Sequence, residues 1–316
     1  MTVYFDFPRL RSDITFKLES QLVTIAYLDC EYVFELEGAV SDEETKDVLV
    51  QLSQGRCLST QYLTEAQQKC VNSLDDIGVI EESYTLSNGI SSKKLLSDLE
   101  HLSRRLKNEN GDTKFEEALK NGNLTFRAWT LWTFQYYFIT HNAVGCVSPA
   151  LMSFSGEAKA ILENFIADEI GHDKLILKSL LALKLSQEVV EATTPLPQTS
   201  VLLSYLKHLA NTSPWSLAFV LSIFEGTEED GEYYLLALRS SGLPSEWIRP
   251  QEIHHEINVS GNHYNISREL FSTKSNFTDE EGEQIKAEVA NLIIMTFQCQ
   301  NAIIEAEEME KQYVAL

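Results

Sequence analysis

The stretch Ile161–Leu177, ILENFIADEIGHDKLIL, constrains this chain most. Leu162, Phe165, Ile166, Ile176 and Leu180 recur at helical spacing and predict a helix with one apolar face, ending near Leu185. Glu169 and His172 stand on that face, three residues apart and so neighbours on a helix surface. Glu163, six residues from Glu169, falls on another face. A carboxylate and an imidazole among apolar side chains are costly to bury unless something compensates them. A mutual hydrogen bond would do so, and so would a metal ion. Glu-x-x-His is a pattern by which one helix offers two ligands to a non-haem iron in a helical bundle. A metal would require further ligands from partner helices.

The totals narrow the field. The chain has 316 residues, enough for two domains, with 47 acidic against 25 basic side chains and a formal charge of −22. That balance argues against nucleic acid or an anionic membrane surface as the main partner and suits basic segments of a partner. Cys30, Cys57, Cys70, Cys146 and Cys299 are scattered and odd in number, as expected of reduced thiols in a cytoplasmic protein. The opening MTVYFDFPRLRSD is unlike a signal peptide, and no apolar run has the length of a membrane span.

Residues 1–85 read as a small α+β unit. Asp13–Leu18, Leu22–Tyr27 and Tyr32–Leu36 are short β-rich runs with brief polar breaks. Ser41–Leu52 begins with a Ser-Asp cap and an acidic turn, as a helix would, and Gln54-Gly55 ends it. Ser59–Ala66 and Gln68–Asp75 predict two further helices, and Gly78-Val-Ile closes a winged-helix pattern. Residues 83–94 are polar and rich in Gly and Ser, as a linker would be.

Helical periodicity then dominates, and residues 95–316 read as a bundle. Lys94–Leu106 and Asp112–Lys120 are amphipathic, and Phe126–His141 has the aromatic content of a core helix. Glu225 directly follows the apolar run AFVLSIF and should be the deepest carboxylate of its segment, whereas Glu228, Glu229 and Asp230 read as a solvated turn. Pro250 fits the first turn of a helix carrying HHEINVSGNHY. A wheel through His255, Val259, Asn262, Ile266 and Leu270 turns His255 inward, with His254 about a quarter-turn away and His263 as the next candidate. Gly261 could loosen that helix and change the register. A long last helix spans Asp279–Tyr313. Glu169, His172, Glu225 and His255, from three helices, form a set suited to iron or manganese.

Two resemblances add to this reading. PRLRSDITFKL, YVFELEGAVSDEETKDVLVQLSQGRCLSTQYL and CVNSLDDIGVIEE resemble the PqqD-type peptide-recognition domains. Such a domain implies that an extended precursor peptide adds as a strand beside its third helix. ENFIADEIGHDKL, IFEGTEED and EIHHEINVSGNHY resemble the haem-oxygenase-like diiron oxidases and oxygenases, relatives of thiaminase-like and PqqC-like bundles. Carried over, that family's first iron would be held by Glu169, His172, Glu225 and His255. Its later pattern, His-x-x-x-Asp-x-x-His, is absent. Val259 and Asn262 follow in the register of His255, Asn258 and Gly261 in that of His254, and His263 stands one residue beyond the expected place. One iron or two therefore stays open.

Together these imply an iron-dependent, dioxygen-using oxidase or oxygenase acting on a ribosomally made precursor peptide, with an external electron donor and room for a homodimer. Three other readings fit the same residues. One is a cofactorless PqqC-like oxidase; another is a thiaminase-like hydrolase using Cys146; the third is a non-catalytic peptide-binding protein.

Overall fold

A computed structural model describes residues 3–19, 22–35, 42–84, 86 and 88–314. The chain divides into two compact units, Met1–Glu109 with Lys274–Gln284, and Asn110–Thr273 with Ile285–Leu316.

The first unit contains strands β1 (Pro8–Leu10), β2 (Thr15–Glu19), β3 (Leu22–Tyr27) and β4 (Cys30–Glu35). Helices α1 (Asp42–Ser53) and α2 (Glu65–Asp76) follow, then β5 (Ile80–Glu82), β6 (Ile90–Ser91) and α3 (Ser92–Asn110); β7 (Asn276–Phe277) belongs to the same unit. β2, β3 and β4 form an antiparallel meander, β1 pairs with β5 and β6 with β7. The three β-rich runs are thus strands, and a fourth and fifth close beside them. Leu36 and the expected cap at Ser41 lie outside the described residues. Ser59–Ala66 is not an α-helix; it holds a single 3-10 turn at Thr60–Tyr62, because Thr64 begins α2 with a capping box closed by Gln67.

The helix assigned from its sequence to the bundle, Lys94–Leu106, lies within α3 and packs in this first unit. Arg11, only 6% exposed, donates from Nε to the Gly78 carbonyl and from Nη2 to the Ser97 carbonyl and hydroxyl, at 2.8–2.9 Å. Lys94 Nζ lies 2.9 Å from Glu81 Oε2, and Tyr27 Oη is 2.7 Å from His101 Nδ1. A buried guanidinium needs such partners, and α3 supplies two of the acceptors. Burial pushes the Glu81 carboxyl up, but Lys94 and Arg9 outweigh it and hold the group below the usual carboxylate range.

The second unit is helical: α4 (Lys114–Lys120), α5 (Phe126–Val147), α6 (Gly156–Glu169), α7 (His172–Ala182), α8 (Gln187–Ala192) and α9 (Pro197–Thr212). These are followed by α10 (Pro214–Glu225), α11 (Glu228–Ser240), α12 (Ser245–Ser260), α13 (Ile266–Ser272) and most of α14 (Asp279–Val314). The aromatic helix α5 is central. Phe134, Tyr137 and Phe138 pack with Ile176, Leu180 and Val190, while Trp129 packs with Leu235, Leu238 and Trp247. No helix among the described residues is long and apolar enough to cross a membrane.

Candidate metal centre

Glu169 and His172 do not share one helix. α6 ends at Glu169, Ile170 is extended, and Gly171 takes φ 100° before α7 starts at His172. Only glycine adopts that conformation without strain, so Gly171 makes the break. The break still brings the pair together, with Glu169 Oε1 3.2 Å from His172 Nδ1. Glu225 is likewise the last residue of α10, before Gly226 at φ 65°. The side chains of Glu228 and Glu229 lie outside the described residues.

The histidine helix differs from its expected register. α12 begins at Ser245, after an extended Pro244, so Pro250 sits inside the helix and not in its first turn. Its buried stripe is Trp247, Pro250, Gln251 and His254, and it ends at Ser260. His254 is therefore the inward residue, 5% exposed, with its ring 4.6 Å from that of His172, edge to face. His255 is turned against α11, where a Cβ on Gly231 would meet its ring at 2.3 Å. The expected inward turn of His255 fails because the wheel drew on Asn262, Ile266 and Leu270, which lie beyond the end of α12.

Gly261 and Asn262 (φ 58°) turn the chain into a 3-10 turn, His263–Asn265. This turn buries His263, 3% exposed, with Nδ1 3.4 Å from Glu169 Oε1 and 3.5 Å from Glu225 Oε2. The register change expected of Gly261 thus carries His263 to the two carboxylates. Donor atoms of Glu169, Glu225 and His263 all lie within 4.8 Å of one another. His172 and His254 stand beside them; His255 does not join them.

These groups are close without being satisfied. Glu169 Oε1, both ring nitrogens of His172 and of His263, His254 Nε2 and Asn258 Oδ1 are buried with no hydrogen-bond partner among the described residues. Buried polar atoms normally have partners, and a group of unpartnered carboxylate and imidazole atoms in one place fits a shared cation. The electrostatics agree. Burial pushes Glu169 up, but His172 and His263 outweigh it and hold the carboxyl well below the usual range. Burial, aided by the Glu169 charge, raises Glu225 against the pull of His263. Burial lowers His263, yet the two carboxylates more than offset that and lift it far above the ordinary imidazole range. Without another cation, a proton on His263 supplies the positive charge that the carboxylates require. A divalent ion would fill the same need, and two carboxylates with imidazoles suit iron or manganese.

Around this cluster, Asn258 Nδ2 donates to Glu225 Oε2 at 2.8 Å, and Tyr136 Oη lies 2.7 Å from His254 Nδ1. Burial, followed by the His172 charge, pushes the His254 imidazole down to about 4. A small recess open to solvent reaches Glu225 and is lined also by Thr227, His255, Asn258, Val259 and Tyr264. The sequence reading missed His254, Asn258 and Tyr136. The signal for His254 was present in the i, i+3, i+4, i+7 stripe running back from it to Trp247.

Solved structures share this fold. A domain of unknown function with a haem-oxygenase-like fold from Shewanella denitrificans matches with a TM-score of 0.58 at 16% identity, over 69% of this chain and 94% of that one. A TenA homologue from Pseudomonas syringae matches with 0.53 at 11%, over 67% and 91%. Haem oxygenase-1 from the cyanobacterium Synechocystis, in complex with haem, matches with 0.51 at 13%, over 70% and 99%. The chain thus has a haem-oxygenase-like helical bundle, preceded by a small strand-containing region. No family model and no curated protein matches the sequence.

Proposed function

We propose that the bundle is a non-haem iron oxidase or oxygenase whose ion is held by Glu169, Glu225 and His263, with His172 as a further ligand. The observation that carries this is the convergence of the Glu169 and Glu225 carboxylates on His263, with Glu169 Oε1 and the ring nitrogens of His263 and the neighbouring His172 buried without a hydrogen-bond partner among the described residues. Bound iron would supply dioxygen activation. The chain's own residues do the rest. Glu169 and Glu225 neutralise the ion's charge, and Asn258 fixes one Glu225 oxygen by donating to it. Phe165, whose ring lies 5.2 Å from that of His263, sets an apolar wall against the ligand. Asn258 stands where the resembled pattern has an Asp, and an amide supplies no charge. The donor set therefore favours one ion.

The companion proposal concerns the first unit. Among the described residues, β2 and β4 each pair on one side only, and Val33 on β4 is 58% exposed. Such edges suit strand addition by a precursor peptide. Anaerobic iron loading followed by metal analysis tests the centre. Titration of a labelled precursor peptide into wild type and a Val33→Pro variant tests the edge, and unchanged peptide affinity in the variant would reject β4 as the docking strand.

A further inference from the structure

Trp129, Trp132 and Tyr136 stand at i, i+3 and i+7 of α5 and so share one face of that helix. Their rings form a file with Tyr234 of α11 and with Trp247 and His254 of α12. Centroid to centroid, His254 lies 4.6 Å from His172 and Tyr136 5.4 Å from His254. Trp132 is 6.1 Å from Tyr136, and Tyr234 is 6.1 Å from Trp132. Trp129 continues the file, 6.1 Å from Tyr234 and 5.9 Å from Trp247. Adjacent aromatic rings therefore run without a gap from a proposed metal ligand to α11. The outer end is accessible: Trp132 and Tyr234 are partly exposed, and Tyr233, next in the chain, is 44% exposed.

Packing alone does not call for these side chains. Elsewhere on α5, Phe134 and Phe138 pack with Ile176 and Leu180 of α7 and carry no polar atom. In the file, by contrast, an indole N–H and a phenol are taken into the core, where each needs a partner. Trp132 Nε1 donates to Tyr234 Oη at 2.9 Å, and Tyr234 Oη donates to Oε1 of the buried Gln251. Phenylalanine would fill similar space without that requirement. What indole and phenol have, and phenyl lacks, is a ring that gives up an electron readily.

We propose that this file is a one-electron relay that protects the centre, with Trp132 as its main station. The proposal rests on the metal-centre reading above. It serves when dioxygen reacts at the ion with no substrate in place, so that an oxidising equivalent is left over. One electron then passes from the Trp132 indole, by way of the Tyr136 and His254 rings, to the centre. One oxidising equivalent is cancelled there, the indole becomes a radical cation, and no bond of the protein forms or breaks. A donor of the ascorbate or thiol class at the outer end returns the electron and is itself oxidised by one electron. Trp132 acts through the rings between it and the ion and is a relay residue, not a catalytic one.

The test uses the full chain, loaded with iron without oxygen and analysed for metal. It is then mixed with dioxygen, without substrate or reductant, and rapidly frozen for electron paramagnetic resonance. The expected result is an organic radical whose line shape changes when ring-deuterated tryptophan is incorporated. Trp132→Phe should keep the wild-type iron content and lose that radical. Trp215→Phe is the control and should retain it, because Trp215 of α10 packs against Phe154 and Phe271, outside the file. Mass-spectrometric peptide mapping after repeated exposure to dioxygen gives a second reading that needs no variant. Oxidation of wild type should concentrate on Trp132, Trp129 and Tyr234 and spare Trp215. An unchanged radical in Trp132→Phe, or oxidation of Trp215 equal to that of Trp132, would overturn the proposal. Iron retained by wild type with no radical would overturn the relay alone, whereas no iron retained would overturn the metal-centre reading and the relay with it.

Discussion

Gly261→Ala isolates what places His263 at the centre. Gly261 has φ −80° and ψ −6°, a conformation open to alanine, so the backbone is not strained. The added Cβ would instead lie 2.7 Å from His263 Nε2 and 2.8 Å from its Cδ2, with the Ile257 carbonyl at 3.3 Å on another side. Ordinary contact begins near 3.4 Å, so the ring must retreat by 3.4 − 2.7 = 0.7 Å. The buried ring has little room to do so, with Phe165 against it and two carboxylates in front. Overpacking of this kind costs about 1–3 kcal/mol, partly offset by about 0.4–1 kcal/mol from the lost freedom of glycine in the unfolded chain. Metal affinity should suffer more, because ligand distances tolerate only about 0.2 Å. A fall of about 10- to 100-fold is expected, by analogy with disturbed ligand orientation. Chelator competition with zinc reads the affinity, and urea denaturation of the metal-free protein reads the stability. Gly145→Ala is the control: it lies within α5 with nothing within 4 Å of its Cβ, and should stabilise by up to about 1 kcal/mol without changing affinity. Equal zinc affinity in Gly261→Ala, Gly145→Ala and wild type would refute the reasoning.

Other consequences can be checked in the same way. Glu225→Gln keeps the shape of the side chain but removes its charge, and should abolish iron retention while the fold, followed by circular dichroism, persists. Gly171→Ala forces a side chain into the left-handed region at φ 100° and should cost about 1–2 kcal/mol in denaturation experiments. In the first unit the folded Glu81 carboxyl lies below its ordinary value of 4.5, so its contribution is fully present above that pH and is lost as pH falls through the lower folded value. Glu81→Gln should therefore be destabilised by about 1–3 kcal/mol at neutral pH, with the gap to wild type closing in acid. Iron or zinc at 100 times its dissociation constant should raise the unfolding free energy by about 2.7 kcal/mol, read as a higher melting temperature.

Much of the fold was legible in the chain. β2, β3, α1 and α14 fall close to their expected bounds, because alternation, capping residues and long apolar periods are local signals, whereas α5 runs through Gly145 to Val147, past its expected end at His141. The errors arose where tertiary structure overrides periodicity. Glu-x-x-His has helical spacing, but Gly171 breaks the helix between the two residues and a turn keeps them adjacent. The α12 wheel chose His255 over His254 because the end of the helix at Ser260 is not written in hydrophobic period; Gly261 and Asn262 carry that information as backbone conformation. The partnership of α3 with the first unit depends on Arg11, whose need for acceptors becomes visible only once its burial is known. Asn258 and Tyr136 belong to no short motif and are found only through the groups they touch.

The central claim is most directly tested by iron content after anaerobic loading, measured on wild type and on single alanine variants of Glu169, Glu225, His263 and His255. The account predicts about one iron per wild-type chain, its loss in the first three variants and its retention in His255→Ala. No iron retained by wild type, or iron lost on replacing His255 but kept on replacing His263, would contradict it.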